Sequence, residues 1–191
     1  MDFFEHYFGK ISNSIKKVDT LLLEKGARLI HNACQRGGKT IIAGNGGSAA
    51  LASHVSVDLT KSVGIRAINF NEADLITCFA NDYGYEMWLE KAVECYADVY
   101  DVLILVSSSG TSRNIVNGAL KGRELGLKII TLSGFRSDNP LKQLGDINLW
   151  VDSSEYNVIE ITHSVWLLSL VDELMGSYTK DESGKERMKK K

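Results

Sequence analysis

Apolar positions along the chain follow two different spacings. In residues 2–36 they recur every three or four positions, as in Phe4, Phe8 and Ile11, and Gly37-Gly38 ends the pattern. That spacing predicts two helices. Short apolar runs then predict strands, with helical patterns between most of them, over residues 39–43, 65–70, 101–106, 128–132 and 147–151. Strands that alternate with helices are typical of a parallel sheet covered on both faces.

The order of these elements predicts one doubly wound α/β domain over residues 1–191, with residues 1–36 as an N-terminal helical extension. The single proline, Pro140, falls in a predicted loop. The extension carries more aromatic surface than a lone helix pair hides, so we expect it to pack on another subunit. Its aromatic residues include Phe3, Phe4, Tyr7 and Phe8. Residues 180–191, rich in lysine, are predicted to form a flexible tail.

Composition excludes several classes of partner. The formal net charge is −2, and no basic face is evident outside Lys185 to Lys191, which argues against direct binding of nucleic acid. The three cysteines Cys34, Cys78 and Cys95 lack C-x-x-C spacing, which favours a reducing compartment. The N-terminal residues do not show the charged lead, apolar core and cleavage site of a leader peptide, and no apolar run reaches the roughly 18 residues that a membrane span needs. We therefore expect a cytoplasmic protein that has no contact with membranes.

Two loops combine glycine with hydroxyl groups where a strand gives way to a helix. The first is Gly44-Asn45-Gly46-Gly47-Ser48, and the second is Ser107-Ser108-Ser109-Gly110-Thr111-Ser112. Free backbone N–H groups and the positive end of a helix dipole meet at such junctions, so the pair predicts a phosphate site. Each loop alone is equally well explained as an ordinary strand-to-helix turn. Neither has the lysine of a Walker A motif or the G-x-G-x-x-G spacing, which disfavours a nucleotide.

Three motifs, in this order along the chain, resemble the SIS (sugar isomerase) domain of the phosphoheptose isomerases, which convert sedoheptulose 7-phosphate to glycero-manno-heptose 7-phosphate. They are residues 44–50 (GNGGSAA), 80–86 (ANDYGYE) and 107–114 (SSSGTSRN). The resemblance covers essentially the whole chain. It implies a flavodoxin-like three-layer sandwich with a five-stranded parallel sheet, a homotetramer, and active sites at subunit interfaces.

The resemblance also implies roles for individual residues. Residues matching the family's sugar-binding loop are Asn45, Gly46 and Gly47, and those facing the sugar hydroxyls are Asn81 and Asp82. The hydroxyl cluster that holds the phosphate corresponds to Ser107, Ser108, Ser109 and Ser112. Ser48 is interpreted as a helix N-cap that also reaches the ligand.

Isomerisation moves a proton between adjacent carbons and needs a base. His54 and Asp58, four residues apart on one predicted helix face, match a His and Glu of the family, where the carboxylate is the base and, in zinc-containing members, a metal ligand with the His. Asp58 is one methylene shorter than the family's Glu. The alternative interpretation of the pair is a solvated ion pair on a helix.

The last predicted helix departs from the family, which has a Gln followed eight residues later by a catalytic His. One alignment places Glu160 and Leu168 there, and an alignment shifted by one places Ile159 and Leu167. His163 then either replaces the missing His or is a structural core histidine.

The resemblance implies a zinc ion on His54, Asp58 and Glu160. Because the family's His is missing, we expect zinc to bind weakly or not at all, and no cofactor is required.

Three functions fit the sequence. The first is an aldose–ketose isomerase acting on a phosphorylated sugar, with Asp58 as base and Glu160 or His163 as its partner. The second is a non-catalytic SIS protein that binds a phosphosugar or a protein such as a replication initiator. The third, a regulatory SIS domain, is disfavoured because the chain lacks a helix-turn-helix segment.

Overall fold

The computed structural model describes residues 2–178, so the predicted tail over residues 180–191 lies outside the described residues. The elements, in chain order, are α1 (Phe3–Lys16), α2 (Thr20–Gln35), β1 (Thr40–Gly44), α3 (Gly47–Asp58), β2 (Ala67–Asn69), α4 (Ala73–Tyr83), α5 (Trp88–Tyr96), β3 (Val102–Ser107), α6 (Arg113–Glu124), β4 (Lys128–Ser133), β5 (Ile147–Trp150) and α7 (Tyr156–Tyr178). A π-helical segment, Leu59–Val63, continues α3, and a 3₁₀ turn, Lys142–Leu144, precedes β5. Both N-terminal helices and all five strands therefore form where the apolar pattern predicted them.

The sheet has five parallel strands in the order β2-β1-β3-β4-β5. From β1 the chain first moves outward to β2, and the later strands are then added on the other side, beginning with β3. The order therefore reverses between β1 and β3. In an open α/β sheet, the helices that follow two such strands leave toward opposite faces, and a crevice remains at the strands' carboxyl ends.

Side chains that alternate along the strands create two apolar cores. Ile42, Ile104 and Ile130 belong to the core shared with α2, α3 and α7. The neighbouring strand residues Ile41 and Leu103 belong to the core shared with α5 and α6. Strand side chains that alternate between two covered faces produce continuous apolar runs in sequence, which is why these strands could be located.

Helices α3 and α7 are apolar on more sides than this core requires. Val57 of α3 is 57% exposed, and Ile161 and Val165 of α7 are also exposed. On the neighbouring α1, Phe3, Phe4 and Phe8 are 60% exposed or more, although their rings contact one another. Between residues 2 and 178, no helix has both the length and the apolar character needed to cross a bilayer.

A buried ion pair joins β1 and β3 at the edge opposite the crevice. Asp101 is fully buried; it accepts hydrogen bonds from the backbone N–H of Lys39 (2.8 Å) and from the Lys39 ammonium (2.6 Å). Burial lowers the pKa of Lys39, but hydrogen bonds to Asp101 and Asp98 outweigh it and raise the pKa overall. The Lys39 charge therefore depends on its carboxylate partners.

We expect Asp101→Ala to lower the free energy of unfolding by about 3–5 kcal/mol, because it removes the buried carboxylate that pairs with Lys39 and leaves the backbone N–H groups of Lys39 and Asp98 without their acceptor. The measurement is urea unfolding at a fixed subunit concentration. Glu24→Ala, which removes the exposed Glu24–Arg28 pair, is the control and should cost less than about 1 kcal/mol. Equal losses in both variants would contradict a special role for the buried pair.

Candidate functional site

The crevice between β1 and β3 places the two glycine and hydroxyl loops side by side. Gly44, the last residue of β1, lies in register with Val106, the last residue but one of β3. The loop at residues 45–48 therefore begins next to the loop at residues 107–112. The carboxyl ends of adjacent parallel strands meet at one edge of a sheet, so both loops line the same crevice.

The first loop precedes α3 and turns at a glycine with a positive φ. Gly46 has φ = +55° and ψ = −121°, a conformation that side-chain-bearing residues rarely adopt, and it occupies the N-cap position without a capping side chain. The interpretation of Ser48 as the N-cap is therefore wrong. The turn begins the helix two residues earlier, and Ser48 lies inside α3, only 5% exposed.

Hydrogen bonds within the second loop join Ser107 to Ser112 and Thr111 to Ser109. The hydroxyl of Ser107 donates to that of Ser112 over 3.2 Å, and Ser109 Oγ accepts from the N–H and the hydroxyl of Thr111 at 3.2 and 3.0 Å. Ser112 is the N-cap of α6, but its side chain makes no capping bond. The first N–H groups of α6 thus have no partner within the helix, which favours an anion at this end.

Glu160, on the first turns of α7, extends its carboxylate to both loops. Its Oε1 atom accepts a 3.4 Å hydrogen bond from the hydroxyl of Ser108. A Cβ atom built on Gly47 would fall 2.6 Å from Oε2, so the Glu160 carboxylate lies against the start of α3 and a larger residue there would displace it. A half-buried carboxylate, free N–H groups and hydroxyls therefore share one end of the crevice.

Asn45 connects the first loop to α6. Its Oδ1 atom accepts from Asn114 Nδ2 at 2.9 Å and from the Tyr85 hydroxyl at 3.2 Å, and its Nδ2 atom donates to Asn114 Oδ1 at 3.0 Å. Because Tyr85 follows the end of α4 closely, this bond places that end beside the sugar loop. Asn81 and Asp82 lie there; both are exposed, and Asn81 Nδ2 donates to Asp82 Oδ1 over 3.0 Å.

Comparisons with known proteins identify the family of this chain. The model of the SIS domain family matches residues 4–134. A phosphoheptose isomerase from Helicobacter pylori (strain P12) is 34% identical over 157 residues, which is 79% of this chain and 81% of that protein. One from Aliarcobacter butzleri is 36% identical over 147 residues, 74% of this chain and 77% of that protein. The chain belongs to the phosphoheptose isomerase family of SIS domain proteins.

A solved structure supports the fold of this family member. The phosphoheptose isomerase from Francisella tularensis superposes with a TM-score of 0.83 at 25% identity, covering 91% of this chain and 98% of that one. The expectation of a flavodoxin-like SIS fold with a five-stranded parallel sheet is thus confirmed.

The residues matching the family's base and metal ligand lie far from the loops. His54 Nε2 and Asp58 Oδ2 are 3.1 Å apart, one turn from each other near the end of α3. Asp58 is eleven residues beyond Gly47, which contacts Glu160, and the helical rise makes that separation about 16 Å. Within residues 2–178, no three His, Cys, Asp or Glu side chains are grouped to hold a metal ion. The zinc set of His54, Asp58 and Glu160 therefore does not assemble within one chain.

Burial distinguishes the two alignments of α7 with the family. Ile159 and Leu167 are fully buried in the core against the sheet. Glu160 and Leu168, one position later, are half-buried. Only the second pair lies on a side of α7 that is accessible beyond this core, so the structure favours the alignment that places Glu160 at the family's Gln and Leu168 at its His.

His163 does not share the face of Glu160. It is completely buried, and its Nε2 atom lies 3.2 Å from the carbonyl oxygen of Ser133, so Nε2 carries the proton that this oxygen accepts. Its Nδ1 atom is buried without a hydrogen-bond partner. Burial lowers the pKa of His163 to about 4, which the hydrogen bond to Ser133 only partly opposes. The catalytic role suggested for His163 is incompatible with this placement. His163 is three residues after Glu160 on α7, and its side chain faces the sheet.

Sequence reasoning assigned no role to Tyr85 or Asn114. Both lie within the quoted motifs, and a polar residue in the first turn of the helix behind the serine loop was the available signal. Their connection to Asn45 spans 40 and 69 residues of sequence. No local pattern encodes a bond between such distant positions.

Buried His163 should make stability depend on pH. Its pKa is about 4 in the folded chain against 6.5 in the unfolded one, so the unfolded state binds the extra proton between these values. The contribution is fully present above pH 6.5 and is lost as the pH falls toward 4, by on the order of 3 kcal/mol in total. Urea unfolding of the wild type and of His163→Met between pH 7 and pH 4 measures it. The variant should lose less stability on acidification; parallel curves would contradict this assignment.

Proposed function

We propose that this protein is an aldose–ketose isomerase that interconverts sedoheptulose 7-phosphate and D-glycero-D-manno-heptose 7-phosphate. Its membership of the phosphoheptose isomerase family supports the reaction. The observation that carries the proposal for this chain is the crevice itself, where the Glu160 carboxylate meets both the glycine loop and the serine loop. A sugar phosphate bound there has donors for its phosphate and a proton-transferring group beside its sugar.

The phosphate is assigned to the mouth of the serine loop. Ser107, Ser109 and Ser112 supply hydroxyl donors, and the uncapped start of α6 supplies N–H groups and a positive dipole. Ser108 is directed toward Glu160 instead. The sugar then extends toward Asn45, Gly46 and Gly47. Asn81 and Asp82, at the end of α4, lie beside that loop.

The chemistry is a proton transfer between C1 and C2. A base removes a proton from C1 of the ketose, the C1–H electrons form the C1=C2 bond, and the carbonyl electrons move onto O2. Loss of the O1 proton and protonation at C2 then give the aldose. We assign the base to Asp58 and the exchange of protons between O1 and O2 to the Glu160 carboxyl group, whose position beside Ser108 fixes it.

Asp58 reaches such a site only from a second subunit, because about 16 Å of helix separates it from the Glu160 end of its own chain. The exposed apolar side chains of α1, α3 and α7 are suited to cover one another between copies. We therefore propose a homotetramer whose active sites combine Asp58 of one chain with Glu160 of another. Location in the cytoplasm stays a prediction from the sequence.

Replacing Ser109 and Ser112 together with Ala should weaken binding of sedoheptulose 7-phosphate by a few kcal/mol, because each hydrogen bond to a charged group contributes about 1.5–3 kcal/mol. Isothermal titration calorimetry measures the affinity. Ser169→Ala combined with Ser177→Ala removes two helix serines far along α7 and is the matched control. Unchanged affinity in the Ser109 and Ser112 double variant would refute the phosphate assignment.

Asp58→Asn and Glu160→Gln should each abolish turnover while leaving phosphosugar binding nearly intact, because they remove a proton-transferring group and keep its shape. If the two groups come from different chains, co-refolded mixtures of the variants should recover about a quarter of wild-type activity, the fraction of sites that random pairing leaves intact.

The same mixtures test the assembly. Light scattering on the wild type should give a tetramer. Each variant refolded alone is the control and should stay inactive. Inactive mixtures of correctly assembled tetramers would show that Asp58 and Glu160 do not complete one site. A wild type that binds the sugar phosphate but exchanges no carbon-bound proton would leave the non-catalytic binding protein as the function.

A further inference from the structure

A pair of asparagines bridges the crevice at its centre. The side chains of Asn45 and Asn114 bond reciprocally, O to N at 2.9 Å and N to O at 3.0 Å. Asn114 is only 3% exposed, so water does not compete for these bonds. Turning the Asn45 amide alone would place like atoms opposite each other, and the orientation of the pair is therefore fixed.

Tyr85 fills the second acceptor position of the Asn45 side-chain oxygen. Its hydroxyl donates to Oδ1 over 3.2 Å, and Oδ1 already accepts from Asn114. An amide oxygen accepts two hydrogen bonds and an amide nitrogen donates two. Both oxygen positions of Asn45 are thus filled and one N–H is used, which leaves a single Nδ2 hydrogen for any ligand.

This leftover hydrogen has a chemical consequence. Asn45 can act toward a bound sugar only as a donor, so its partner must be an oxygen that accepts, such as a carbonyl, an enediolate oxygen or a hydroxyl lone pair. An unrestrained asparagine would bind an acceptor or a donor with equal ease. The restraint therefore selects the atom of the sugar that Asn45 contacts.

We propose that Asn114, assisted by Tyr85, is a positioning residue that holds Asn45 with one N–H directed at an acceptor oxygen of the sugar. Asn114 lies in the first turn of α6, next to the serine loop, and Asn45 lies before α3, so the pair couples the site's phosphate end to its sugar end. The two helices pack on opposite faces of the sheet, and the amide pair connects them. This inference rests on the proposed isomerase function.

The experiment is steady-state isomerisation of sedoheptulose 7-phosphate by the intact protein and its variants. Asn114→Ala frees the Asn45 amide to rotate, and misplacing one contact group in this way should lower kcat by ~30-fold or more. KM should change by less than about threefold, because the serine loop still holds the phosphate. Tyr85→Phe removes one bond from a half-exposed side chain without touching the core; it should lower kcat by a few-fold.

A double-variant cycle separates positioning from mere stability. If Asn114 acts through Asn45, then Asn114→Ala should cost little further kcat in an Asn45→Ala background, whereas independent losses multiply. Asn117→Ala, one turn further along α6, is the matched control; it loses bonds to Glu86 and Met87 but does not contact Asn45. It should retain kcat within about twofold.

The possible outcomes are distinct. Losses of kcat that multiply in the double variant, or an equal loss in Asn117→Ala, would overturn the positioning role. If Asn114→Ala does not fold, Tyr85→Phe and its combination with Asn45→Ala decide the same question, and an unchanged kcat in Tyr85→Phe would count against the proposal. A wild type without any turnover overturns the proposed function itself, which is a different result.

Discussion

The reversal of strand order between β1 and β3 is the constraint on which the rest of the molecule depends. Two adjacent parallel strands are continued by helices on opposite faces, so their carboxyl ends cannot both be covered by one helix. A crevice results, into which backbone N–H groups of two helix starts are directed. Gly46 and the serine loop meet there because the register sets Gly44 beside Val106. The backbone topology alone therefore creates a crevice suited to binding a ligand at this edge of the sheet.

Exposed apolar side chains on α3 and α7 form surface that the two cores of this chain do not cover. The exposed Val57 on α3 and Ile161 on α7 lie outside both cores, although a solvated helix normally shows a polar stripe. A surface of this kind is stable when another protein surface covers it. In the function proposed above, Asp58 at the far end of α3 meets Glu160 of a second copy.

Helix α7 shows how burial assigns different roles to neighbouring positions. Glu160 reaches the loops, whereas His163 is turned into the core and held neutral by burial. Both are polar residues on one helix, only three positions apart. The helix packs against the sheet along Ile159, His163 and Leu167, and Glu160 lies beside that line. A titratable group on the sheet side stabilises no charge, and for that reason it is unsuited to acid–base chemistry.

The sequence by itself determined the strands, the helices, the parallel sheet and the two loops at one edge, because apolar runs and glycine turns act over a few residues. The family, and the candidate roles of Asn45, the serines and Glu160, followed from motifs in their order. Only the tertiary structure showed that Gly46 rather than Ser48 is the N-cap of α3 and that His163 is buried in the core. Only it placed Asp58 at the far end of α3, about 16 Å along the helix from Gly47, and joined Asn45 to Asn114. These facts depend on helix rotation and on contacts between segments as many as 69 residues apart, which no local pattern of residues encodes.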